Sequence, residues 1–177
     1  WAAGGGHADS MLGFPAAIVL SESYQKGLTA FDAAAAYALL DQQTTAGSGL
    51  GGRECFDYYS NLGYCPHEAM SHSVSYTLEY AYADTALSLW ATALGEAADA
   101  AAFSSRAQNA FNHWNTQSQA FLPKGLDGSF MKGCKLDELS YVASTACSNH
   151  FIEGSAVQYR WYLPHSPSAL LGHFSSG

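Results

Sequence analysis

Glu153, Gly154, Gln158, Tyr159 and Trp161 fall within one short stretch, followed closely by Pro164-His165. A single ionisable group is thereby set among aromatic and amide side chains, with a glycine beside it. Glycoside cleavage asks for that combination: a carboxyl kept protonated by apolar surroundings, close access for the substrate, and flat rings to carry a sugar face. The competing reading is a helix start with Glu153 in its first turn, where the helix dipole favours a negative charge. Spacing alone leaves both readings open.

The rest of the chain bounds what such a site could belong to. With 177 residues it is long enough for one domain with a sizeable core. Only 12% of residues are charged and 48% are apolar, which argues for a well-buried globule rather than a disordered chain. A net charge of −8 with seven lysines and arginines leaves no basic stripe for phosphates, so a nucleic-acid role is excluded. No apolar run is long enough to cross a bilayer. Eleven tyrosines suit a carbohydrate-handling protein, and equally a large helical core. The four cysteines fall as two local pairs, Cys55 with Cys65 and Cys134 with Cys147. Two short-loop disulfides in an oxidising compartment, hence a secreted or extracellular protein, is one reading; four buried thiols is the other. Zinc-like Cys/His spacing is missing. The opening residues lack a basic start and an apolar stretch, so the chain reads as a mature product or an internal piece.

The elements that must position the site are helices. One is expected from Pro15 to Lys26, closed by Gly27, and a second from a cap at Asp32 to about Gln43. The clearest runs from about Ser75 to Leu94 and stops at Gly95, with Leu78, Tyr82, Ala86, Leu89 and Ala93 on its buried face. Residues 96–115 follow as its antiparallel partner. Residues 53–66 and 118–149 read as irregular segments carrying the cysteine pairs, and a last helix begins near Glu153 and breaks at Pro164. The expected class is all-α, as part of an α/α toroid built from antiparallel helix pairs, with a plain bundle as the alternative.

Several landmarks resemble glycoside hydrolase family 92. Met11-Leu12-Gly13, Ser23 to Gly27 and Phe31-Asp32 resemble the opening helices of its catalytic domain. Arg53, Tyr59 and Gly63-Tyr64-Cys65-Pro66 follow, and then Ser75 to Asp84, which is similar to the family's long-helix motif. Glu153-Gly154-Ser155 with Gln158-Tyr159 and Pro164-His165 resembles the segment bearing its catalytic acid. The resemblance implies part of an (α/α)6 barrel, residues 1–177 forming a single partial domain without the N-terminal β-sandwich and the C-terminal part of the barrel. It implies a calcium-dependent, exo-acting, inverting α-mannosidase acting on mannose-containing glycans. Glu153 would be the general acid, with Arg53, Gln158, Tyr159, Trp161 and His165 as substrate-binding candidates. Arg53 reads equally as an ordinary carboxylate partner. Glu79 and Asp84 read as structural or secondary positions, because they share no helix face well.

Four departures weigh against a complete catalyst. Ala83 stands for the first of two adjacent acids, Ser155 for an asparagine, Ser166 for an aspartate, and Phe14-Pro15 for an Asp-His pair. The family's calcium ligands and aspartate base would lie downstream of Gly177, in the remainder of a longer polypeptide or assembly. An inverting hydrolase needs acid and base roughly 6.5–9.5 Å apart with a water between them. The second reading is therefore a lapsed relative, a carbohydrate-binding or structural module. The third is an unrelated helical domain. A Ser-His-Asp hydrolase is rejected, because no Gly-x-Ser-x-Gly elbow follows a strand and His67 and His72 are scattered.

Overall fold

A computed structural model describes residues 12–45, 52–136 and 147–174. Seven α-helices are found among them: α1 (Pro15–Gln25), α2 (Ala33–Thr45), α3 (Phe56–Leu62), α4 (Ser73–Leu94), α5 (Ala97–Ala107), α6 (Ala156–Tyr159) and α7 (Pro167–His173). The fold is all-α apart from one small hairpin, β1 (Trp114–Asn115) against β2 (Ala120–Phe121).

The helix ends follow local chemistry. Pro15 opens α1 with its φ already set for a helix. At the other end the N–H of Gly27 bonds to the Tyr24 carbonyl and that of Leu28 to Ser23, a pairing that closes on the left-handed glycine. Gly95 and Glu96 close α4 in the same way, onto Thr92 and Ala91. Asp32 caps α2 by accepting the Ala35 N–H at 3.0 Å.

Helix α4 is the spine. Its second half packs on α1, α2 and α5 around Trp90, whose ring meets Tyr24, Phe31 and Tyr37 at 5.8–6.3 Å between centroids. The Ser21 hydroxyl donates to the Ala86 carbonyl and the Gln25 amide to that of Leu89, so α1 runs parallel to α4. Ser88 bonds to the Ala100 carbonyl while Arg106 reaches Asp84, so α5 runs antiparallel to α4. The first half of α4 packs instead on the hairpin and the last third of the chain, through Val74, Leu78, Phe121, Phe151 and Leu163.

The expected buried face of α4 needs correcting. Leu89 is exposed and Ala93 lies outside the core, whereas Val74, Tyr80, Ala83, Leu87 and Trp90 are buried. A helix covered on most sides carries apolar residues nearly all round, so a single stripe cannot be phased from its sequence. The irregular segments also hold more structure than expected. Residues 53–66 contain α3, and within 118–149 the described part contains β2 and a bridge between Lys124 and Phe130. The remaining expectation there, over 137–146, lies outside the described residues.

The cysteines divide. Cys134 and Cys147 are joined as a disulfide, while Cys55 and Cys65 are both thiols, which corrects the first expected pair. Cys55 holds the N-cap position of α3 at φ 58°, and the buried Cys65 sulfur is directed at its carbonyl oxygen, 4.0 Å away.

Burial also gives the fold an acid limit. His113 donates from Nδ1 to the Leu122 carbonyl at 2.8 Å, and burial pulls its pKa down to about 4. The unfolded chain takes up this proton near the ordinary value of about 6.5. The stabilisation from keeping the ring neutral is therefore fully present above that pH and is lost as pH falls towards 4. Thermal melts between pH 7 and 4.5 should show a falling midpoint. His113→Gln should flatten that slope in part, since His150 and His165, also drawn down to about 4, titrate in the same window.

Candidate active site

The cleft of interest, about 540 Å³, opens where the 152–162 segment faces α4 and the start of α1. It is lined by Glu153, Gly154, Gln158, Tyr159 and Tyr162 from that segment, by Glu79 from α4, and by Leu12 and Pro15.

Glu153 does not begin a helix. It stands two residues before Ser155, the N-cap of α6, with φ 48° in the left-handed region that non-glycine residues seldom adopt. Such a conformation persists only when its neighbours enforce it. Tyr159 does so from both sides. Its hydroxyl donates to the Ile152 carbonyl at 3.0 Å, and its ring lies against Gly154, where a Cβ would come within 2.8 Å of Cε2. The Ile152 N–H in turn bonds to Ser75 on α4 at 3.0 Å. Glu153 is thereby held over the cleft but exposed, so the apolar surroundings expected of it are not found there. They surround Glu79 instead: burial pushes that carboxyl up, partly offset by a hydrogen bond from the Tyr162 hydroxyl at 2.5 Å.

Gly154→Ala follows as a sharp test of this support. The added methyl has to displace the Tyr159 ring, which should cost about 1–3 kcal/mol by overpacking and release Glu153 from its fixed pose. Thermal melting reads the first effect and ligand affinity the second.

Other expected site residues lie elsewhere. Gln158 accepts the Ser155 N–H at 2.9 Å, so its amide oxygen completes a capping box at the rim of the cleft. Arg53 is fully buried and pairs with Asp84 at 2.7 Å; Asp84 also takes Arg106 at 3.2 Å and the Tyr59 hydroxyl at 2.8 Å. Burial alone would lower the Arg53 pKa, but the Asp84 charge outweighs it and the net shift is upward. Arg53 and Asp84 thus form a core ion pair and do not meet Glu153. Trp161 is exposed and stacks on Phe174 at 4.9 Å, and His165 stacks on Tyr82 at 5.5 Å; neither lines the cleft. Sequence reasoning missed Tyr162, whose neighbour Trp161 drew attention, and placed Glu79 apart from Glu153. Among the described residues no three His, Cys, Asp or Glu side chains gather as a metal site. No helix among them is long and apolar enough to cross a membrane.

A helical scaffold that brings two carboxyls and two tyrosines to one open cleft is suited to glycoside chemistry. The chain belongs to glycosyl hydrolase family 92, whose catalytic-domain model matches residues 1–176. Among solved structures it is similar to the family GH92 inverting mannosidase BT2199 from Bacteroides thetaiotaomicron. The two are 28% identical with a TM-score of 0.81, over 96% of this chain and 23% of that one. The α-mannosidase BT3965 from the same organism is 24% identical at a TM-score of 0.78, over 92% of this chain and 22% of that one. The same protein in complex with mannoimidazole gives a TM-score of 0.80 over the same shares. At 24% identity these two bear on the fold alone. The chain spans less than a quarter of the length of the solved structures it matches. Among curated proteins, none matches it.

Proposed function

We propose that this chain is part of the catalytic domain of an exo-acting, inverting α-mannosidase, a secreted or extracellular protein that cleaves mannose-containing glycans. The observation that carries the reading is Glu153, fixed by its neighbours in a left-handed conformation at the cleft of a family 92 domain. In this reading Glu153 protonates the glycosidic oxygen as mannose leaves, while the Tyr159 and Tyr162 rings support the sugar. The Cys134–Cys147 disulfide favours an oxidising compartment. The parallel α1 and α4, with α5 antiparallel outside, suit adjoining units of an (α/α)6 toroid and a single partial domain over 1–177.

Glu79 has one oxygen taken by the Tyr162 hydroxyl and is not assigned the role of general base. The base is therefore assigned to residues other than those described, in the remainder of a longer polypeptide or assembly. Calcium is implied by the family resemblance, yet the described residues do not gather a ligand set for it.

The departures from the family pattern weigh less than they did in sequence. Ser155 and Ser166 both sit at N-cap positions, where serine serves about as well as asparagine or aspartate. Ala83 is buried in the core, away from the cleft. Only Phe14-Pro15 alters the cleft itself, since Pro15 lines its wall. That substitution, with the exposure of Glu153, favours the second reading of a catalytically inactive carbohydrate-binding or structural module.

Release of mannose from an aryl α-mannoside, with and without chelator, separates the two. Turnover whose first product is β-mannose by proton NMR supports the inverting hydrolase. Saturable mannose binding with no turnover supports the binding module.

A further inference from the structure

Helix α4 presents Ser75 and Glu79 one turn apart to the 152–162 segment. Ser75 grips the backbone of Ile152, and Glu79 takes the hydroxyl of Tyr162. Tyr162 engages Oε1. The other oxygen lies on the side of Gly13, at whose φ of 93° the backbone comes so close that a Cβ would sit 3.1 Å from Oε2. This half-buried carboxyl lines the cleft, with capacity for several donors, and among the described residues the Tyr162 phenol supplies one bond. A carboxylate lining an open cleft can exchange its solvent for the hydroxyls of a ligand. The tyrosine rings beside it offer the apolar faces on which a pyranose would lie.

We propose that Glu79 is a sugar-binding carboxylate of the cleft: Tyr162 holds one oxygen, and the other accepts a hydroxyl of the same saccharide that Glu153 serves. The inference rests on the reading of the cleft as a saccharide site. It differs from a purely structural role, in which Glu79 merely anchors Tyr162 and through it the Glu153 segment. Among the described residues the titratable groups at the cleft beside Glu79 are Glu153, Tyr159 and Tyr162, with Tyr82 close by on α4; residues 12–15 add none.

The two roles separate by calorimetry and melting on the full chain with mannose, glucose and galactose as probes. Glu79→Gln keeps a neutral oxygen for the Tyr162 hydroxyl, so the melting temperature should hold, while sugar affinity should fall about tenfold or more with the loss of a charged acceptor. Wild-type affinity should decline as pH falls through the ionisation of Glu79, and Glu79→Gln should abolish that decline. Tyr162→Phe leaves the carboxyl in place but withdraws the bond that favours its ionised form, so the midpoint of the decline should move to higher pH. That variant keeps the test open if Glu79→Gln fails to fold. Unchanged affinity and an unchanged pH midpoint in both variants would reduce Glu79 to an anchor and overturn the proposal. Binding of another hexose but not mannose, with the same dependence on Glu79, would support the proposal while removing the mannoside reading. No binding of any of the three would remove both.

Discussion

Replacing Asp84 by alanine is expected to lower stability by about 3–5 kcal/mol, the range for removing one partner of a buried ion pair. Arg53 is 1% exposed and Asp84 is 0% exposed, so the guanidinium left behind is a buried charge with no counter-charge at 2.7 Å. Tyr59 loses its carboxylate acceptor as well, and Arg106 loses its link from α5 to α4. At roughly 2–4 °C per kcal/mol for a domain of this size, the melting temperature should fall by about 6–20 °C. Asp84→Asn, which keeps an acceptor for Tyr59, should fall less. The double replacement Arg53→Met with Asp84→Leu should recover much of the loss, because two apolar side chains carry no desolvation penalty. A drop of only a degree or two in Asp84→Ala would mean that water reaches this pair and that the core is looser than described.

The largest functional effect is expected at Glu153. If its carboxyl donates the proton to the leaving oxygen, Glu153→Gln should lower turnover of a mannobiose by about 10²–10⁴. A 2,4-dinitrophenyl mannoside leaves without protonation and should lose far less. That contrast reads the acid role itself, since misfolding or lost sugar binding would depress both substrates alike. The Michaelis constant should change little, because the exposed carboxyl is asked to act on the transition state rather than to hold the sugar. Equal losses on both substrates would remove Glu153 as the proton donor and leave the cleft as a binding site.

Much of the scaffold was legible because its signals are local. Gly27 and Gly95 end α1 and α4 through backbone conformations that glycine enters without strain, and Asp32 caps α2 through its own side chain. The cap at Ser155 with Gln158 carries an equally local signature, although the same glutamine also suits a sugar. The short α3 and the hairpin were not legible, for they are held by partners far along the chain rather than by their own periodicity. The two thiols at Cys55 and Cys65 were likewise beyond a reading of spacing, since a separation of ten positions says nothing about where the sulfurs point.

The sequence by itself determined a helical chain of this family, the ends of its main helices, and Glu153 with Tyr159 as members of one local group. The family match over residues 1–176 bears out the family, and the α4 spine the helical reading. Only the tertiary structure decided which distant residues share the cleft. Glu79 and Tyr162 meet across 83 positions of chain, while Arg53, with the only fully buried guanidinium among the described residues, was drawn to Asp84 in the core. The reason is physical: a cap or a turn is settled by the few residues that form it, whereas desolvation and charge pairing are settled by whatever the packed chain brings alongside.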